Sequence, residues 1–148
     1  MTFFQRIIRT KAPQATLLIR LIVGLVFLSE GVQKFLFPTE VGAGRFSKIG
    51  IPYSETAAAF VGAFEIICGL LITIGFLTRL AVIPTIAIML VAISSTKIPI
   101  LLAKGFWAMA HESRTDWSML LGSIFLLIVG AGSLSVDYRL STRSSSEL

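Results

Sequence analysis

The chain has 148 residues, 55% of them hydrophobic and 14% charged, with a mean hydropathy of +0.86. Soluble domains carry about 25% charged residues, so an ordinary soluble globule is excluded and a small polytopic membrane domain is indicated. The net charge of +5 comes from cations dispersed near segment ends, where they orient helices and meet anionic headgroups; this argues against a nucleic-acid partner.

The opening stretch MTFFQRIIRTKAPQAT sets Phe3 and Phe4 at helical spacing from Ile7 and Ile8 and adds Arg6, Arg9 and Lys11. That pattern predicts a short helix in the membrane interface, ended by Pro13. No small-residue cleavage site follows Leu28, so the first apolar run reads as an uncleaved span rather than a signal peptide.

Span one is expected over 17–37, with Arg20 near its inner end, placed to snorkel. Near its other end, Glu30 precedes Lys34 by four residues, the favourable order for an intrahelical ion pair. The glycine-rich run from Thr39 to Pro52 reads as an outer loop.

Span two, over 55–77, carries Glu65 near its middle. Ala58, Gly62, Glu65 and Gly69 share one face at the 3.6-residue period, so another helix can approach closely the one that holds the acid. A carboxylate at that depth costs about 2.5–3.5 kcal/mol on insertion scales, so it must be protonated, partnered or hydrated. Cys68, the one cysteine, lies on the same helix; it excludes an internal disulfide and reads as packing.

A tight turn from Gly75 to Arg79 leads to span three, over 80–96. Thr78 is placed to cap it, Pro84 to kink it or trim its first turn, and Arg79 reads as a cytoplasmic anchor and helix-end partner. Residues 98–110 are apolar but contain Pro99, Lys104 and Gly105, and read as an interfacial or partly re-entrant segment. HESRTD, from His111 to Asp116, reads as exposed loop. His111, Glu112 and Asp116 match no compact metal-ligand spacing. Span four is expected over 117–134, with Trp107 and Trp117 as interface anchors. The serine-rich residues 137–148 read as a frayed tail.

The expected fold is therefore an all-α integral membrane four-helix bundle, with both termini on the cytoplasmic side of the membrane. Helical rise places Glu30, Lys34 and Glu65 within about two turns of one another in depth, which predicts one internal polar cluster in the outer half of the bundle. Such a cluster fits a proton-binding site, or a structural ion pair that fixes helix register.

The run from Arg20 to Phe35 (RLIVGLVFLSEGVQKF) resembles the opening of the DoxX family of small bacterial membrane proteins. GAFE (Gly62–Glu65) with Gly69, Gly75 and TRLA from Thr78, and GAGSLSVD (Gly130–Asp137), are similar to further signatures of that family. The resemblance implies a four-span fold and a place beside membrane redox assemblies, whether quinone-linked or handling thiol and oxidative stress. It transfers no catalytic residue. The sequence holds one histidine and one cysteine, so a bis-histidine haem or an iron–sulfur cluster cannot be built. The expected role is an accessory subunit without its own redox centre, able to hold quinone or lipid near Glu30, Lys34 and Glu65. The alternative is a structural subunit that packs its small-residue helix faces against larger membrane proteins; a small transporter, dimeric by necessity, is a third reading.

Overall fold

In a computed structural model the protein is described over residues 3–10 and 12–146, and no strand occurs among these residues. The expected pairing of Phe3 and Phe4 with Ile7 and Ile8, the cation Lys11, and the last two residues lie outside what is described. Helix α1 (Phe3–Ile8) leads to α2 (Thr16–Leu36), α3 (Ala43–Lys48) and α4 (Ser54–Ile74). Then follow α5 (Thr78–Ala92), a π-helical turn (Ile93–Lys97), α6 (Ile98–Lys104), α7 (Phe106–Glu112), α8 (Arg114–Val129) and α9 (Val136–Ser146).

Three helical runs among the described residues are long and apolar enough to cross a membrane: Thr16–Leu36, Ser54–Ile74 and Thr78–Lys104. Helices α2, α4, α5 and α8 close around one core. Val23 and Phe27 meet Cys68, Ile72, Val82, Met119 and Leu126 there. Around this core the outward side chains remain apolar, among them Leu18, Ile22, Phe60, Ile67, Ile83 and Leu121. An apolar exterior over a packed interior is what a lipid solvent permits.

The antiparallel α2–α4 contact is set by glycine. Arg20 pairs with Thr73, Gly24 with Gly69 and Gly31 with Gly62, so the two backbones meet in one register. A Cβ at Gly69 would stand 2.6 Å from the Leu28 nitrogen, and one at Gly31 would stand 2.7 Å from the Gly62 carbonyl oxygen. The small-residue face read from the sequence is thus used inside the molecule, between its own helices.

Several expectations need correction. The third apolar run does not stop at 96: it continues as helix through the π turn and α6 to Lys104. Pro99 is tolerated because it falls just after the π turn. The hydroxyls of Ser94, Ser95 and Thr96 donate to the carbonyls of Leu90, Val91 and Ala92, satisfying acceptors where the regular ladder is interrupted. Pro84 lies within α5, whose first turn from Thr78 it does not remove. The expected outer loop contains α3, and the expected exposed loop at His111–Asp116 is largely helical, with Ser113 buried. The tail forms α9, and its Asp137 is 1% exposed.

Candidate functional site: a polar-walled cavity

The α2–α4 register brings Glu30, Lys34 and Glu65 together. Gly31, one residue from Glu30 and three from Lys34, lets α4 approach until the Glu65 Cβ lies within contact distance of the α2 backbone. Lys34 Nζ then stands 2.7 Å from Glu65 Oε2 and 4.0 Å from Glu30 Oε2. The three differ in access: the Glu65 side chain is 3% exposed and that of Lys34 9%, whereas that of Glu30 is 48% exposed. Glu30 therefore stands at the edge of the site and Glu65 at its floor. Separating the Glu65 carboxylate from Lys34 would leave a buried charge without a counter-ion, a change that typically costs 3–5 kcal/mol.

A second ion pair, missed in the sequence reading, lies on the other helix pair. Lys97, the last residue of the π turn, is buried, and its Nζ stands 3.1 Å from Asp116 Oδ2 in the first turn of α8. The π turn is what makes this possible, because the extra residue per turn rotates α6 relative to α5 and aims Lys97 at α8. The available signal was depth: Lys97 and Asp116 flank the apolar segment 98–110 and so return to the same level.

Between the two pairs is a cavity of about 550 Å³. Val26, Phe27, Val61, Met89 and Met119 supply apolar wall, and Phe46 with Ile49 covers it from α3 and the residue after it. Glu30, Lys34, Glu65, Lys97 and Asp116 all line it. It is an apolar chamber with two acid–base pairs in its walls, suited to a ligand with an apolar body and polar atoms.

The other sequence-predicted residues lie elsewhere. Arg20 does not snorkel. It is 3% exposed and its guanidinium turns inward, donating to the carbonyls of Thr73, Ala131 and Leu134 at 3.2, 2.8 and 2.8 Å. Arg79 donates to Leu127 and Ile128 at the end of α8 and to Arg6 and Arg9 at the end of α1, which fits its reading as a helix-end partner. The cap of α5 comes from a distant residue and not from Thr78: Asp137 accepts from the backbone N–H groups of Leu77 and Thr78 at 2.8 and 3.0 Å. Burial pushes the Asp137 carboxyl above its ordinary value, and those two donors and Arg20 offset the shift only in part. All three residues hold the end of the molecule opposite the cavity. His111 lies on α7 beside Arg114, and Asp116 has turned to Lys97, so the candidate metal trio is not brought together. No three His, Cys, Asp or Glu side chains among the described residues are grouped to hold a metal ion. Cys68 is buried in the core.

Fold and site together define a small all-helical membrane protein that keeps ion pairs around an amphipathic cavity. The DoxX family model matches residues 15–102, and the chain belongs to that family. It is 49% identical to the uncharacterized membrane protein Rv3486 of Mycobacterium tuberculosis, covering 95% of this chain and 90% of that one. It is 30% identical to a Bacillus subtilis protein named "Putative oxidoreductase CatD", covering 82% of this chain and 84% of that one. No solved structure matches the chain.

Proposed function

We propose that the protein is a four-span inner-membrane subunit that works beside a quinone-linked or thiol-redox complex and holds a quinone headgroup or lipid in its cavity. The observation that carries this reading is the cavity itself: about 550 Å³ of largely apolar space walled by Glu65–Lys34 and Lys97–Asp116. Ionisable groups inside a membrane domain are expensive to keep, and they gather where a polar ligand or a proton must be received. In this reading α8, at 16 residues, is the fourth span, extended by the segment that follows it. Arg6, Arg9 and Arg79 lie at the end where α1 and α9 meet, which supports a cytoplasmic location for that end. The relative named as an oxidoreductase is consistent with a redox setting. A purely structural subunit is the alternative; the glycines of the α2–α4 contact, used inside the molecule, do not argue for it.

The test uses the tagged protein, purified in mild detergent and placed in lipid nanodiscs, titrated with decylubiquinone against empty discs. Saturable binding is expected, weakened at least about tenfold when Lys34→Met and Glu65→Leu are combined so that no lone charge is left. In membranes, Glu65→Gln and Glu30→Gln should lower quinone-linked turnover. Normal assembly and normal turnover in both variants would assign the cluster a structural role and end this reading.

A further inference from the structure

Charge is divided unequally between the two ends of the molecule. Residues 30–65 and 97–116, around the cavity, hold six carboxylates and six lysines or arginines, so that end is balanced. The positive excess of the chain falls on the remaining residues, whose charged groups, among those described, gather where α1 meets α9. The one described carboxylate there, Asp137, is 1% exposed and holds the Leu77 and Thr78 N–H groups. Among the described residues, this end therefore shows solvent arginines and no carboxylate.

Arg79 builds the surface. Its guanidinium donates to the carbonyls of Arg9 and Arg6 at 2.6 and 3.1 Å and to those of Leu127 and Ile128 at 3.0 and 2.9 Å, fastening the end of α1 to the end of α8. Arg6 and Arg9 contribute backbone carbonyls to this contact, and both remain exposed. Arg139, also exposed, adds a third guanidinium from α9, two residues beyond the point where Asp137 N–H donates to the Gly75 carbonyl. Beside these groups the surface turns apolar: Leu80, next to Arg79, is 49% exposed, and Ile128, whose carbonyl Arg79 holds, is 70% exposed. A soluble polyanion would meet the arginines and leave those side chains bare. A lipid covers both, with its headgroup on the guanidinium groups, which match phosphate oxygens in geometry and charge.

We infer that this end of the protein is a docking surface for an acidic phospholipid, whose phosphate is received among Arg6, Arg9 and Arg139 and whose chains lie against Leu80 and Ile128. The inference is independent of what occupies the cavity.

The test reconstitutes the full chain in phosphatidylcholine vesicles containing spin-labelled phosphatidylglycerol or, in parallel, spin-labelled phosphatidylcholine with the same chains. Electron spin resonance reads the fraction of each label that the protein immobilises. Phosphatidylglycerol should associate at least about fivefold more strongly, the worth of one basic group near an anionic charge, and high salt should reduce that preference by screening. Arg6→Gln, Arg9→Gln and Arg139→Gln combined should bring the ratio to within about twofold of unity. Lys48→Gln, Lys104→Gln and Arg114→Gln combined, which remove the same charge from the balanced end, should leave it unchanged. Protection of Cys68 from a thiol dye checks the fold of both variants. Should the first unfold, Arg9→Gln and Arg139→Gln taken singly should each lower the preference. Equal association of the two lipids with the wild type, a preference that survives loss of the three arginines, or one that the control variant loses equally overturns the inference. Abolition of the preference by millimolar glycerol phosphate would assign the surface to a soluble phosphoester and overturn the lipid occupant.

Discussion

Asp137 gives the most direct test of how the fold is held. Its carboxylate accepts from the Leu77 and Thr78 backbone N–H groups, 60 and 59 residues away in sequence, and so caps α5 from outside the turn. Asp137→Ala would leave two N–H groups at a buried helix start without acceptors, at about 1–3 kcal/mol each. A loss of about 3 kcal/mol lowers Tm by on the order of 10 °C for a chain of this size. Asp137→Asn keeps one acceptor oxygen and should lose about half as much. The assay is built in: Cys68 is the one cysteine and is buried, so a fluorogenic thiol dye reports unfolding as the detergent-solubilised protein is heated. The sign of the pH dependence also follows. Burial raises the Asp137 carboxyl above its ordinary 3.8, so the fold favours the protonated form. Its contribution is complete below the ordinary value and declines as pH rises through the raised one. Wild-type Tm should therefore fall from about pH 4 upward, and Asp137→Asn should remove that component of the slope. An Asp137→Ala protein that melts within about 1 °C of wild type would refute the capping argument.

Gly69→Ala places a methyl group against the Leu28 nitrogen and the Gly24 carbonyl oxygen, both backbone, and should cost about 1–3 kcal/mol by the same melting assay. Gly122→Ala meets only the Val23 side chain at close range, which can rotate, and should cost less. Lys97→Met leaves Asp116 without its partner and should destabilise more than Lys97→Met combined with Asp116→Leu, giving a non-additive double-mutant cycle. Arg79→Lys cannot serve carbonyls at the ends of both α1 and α8. Backbone hydrogen exchange in α1 should rise at least about tenfold while α2 is unchanged.

Much of this protein is legible without coordinates because lipid is a severe solvent. Hydropathy and helical period locate α2 and α4 to within a few residues, and helical rise alone places Glu30, Lys34 and Glu65 at one level. Even the glycine face of α4 is readable, since a period of 3.6 shows which residues share a side.

What the string could not yield is which sides meet. Arg20 lies near a helix end, where snorkelling to headgroups is the local expectation; only packed neighbours place the carbonyls of Thr73, Ala131 and Leu134 around it. Pro99 and the serines before it look like a helix end. A π turn instead carries the helix through and aims Lys97 at Asp116. Asp137 looks like the start of a polar tail until α9 docks beneath the α4–α5 turn. Sequence determined the membrane class, the long helices and the depth of each charge, because those follow from local periodicity and from transfer into lipid. Tertiary structure decided the partners of those charges and the cavity between them, because a partner is chosen by the rotation of whole helices about one another, which no single helix encodes.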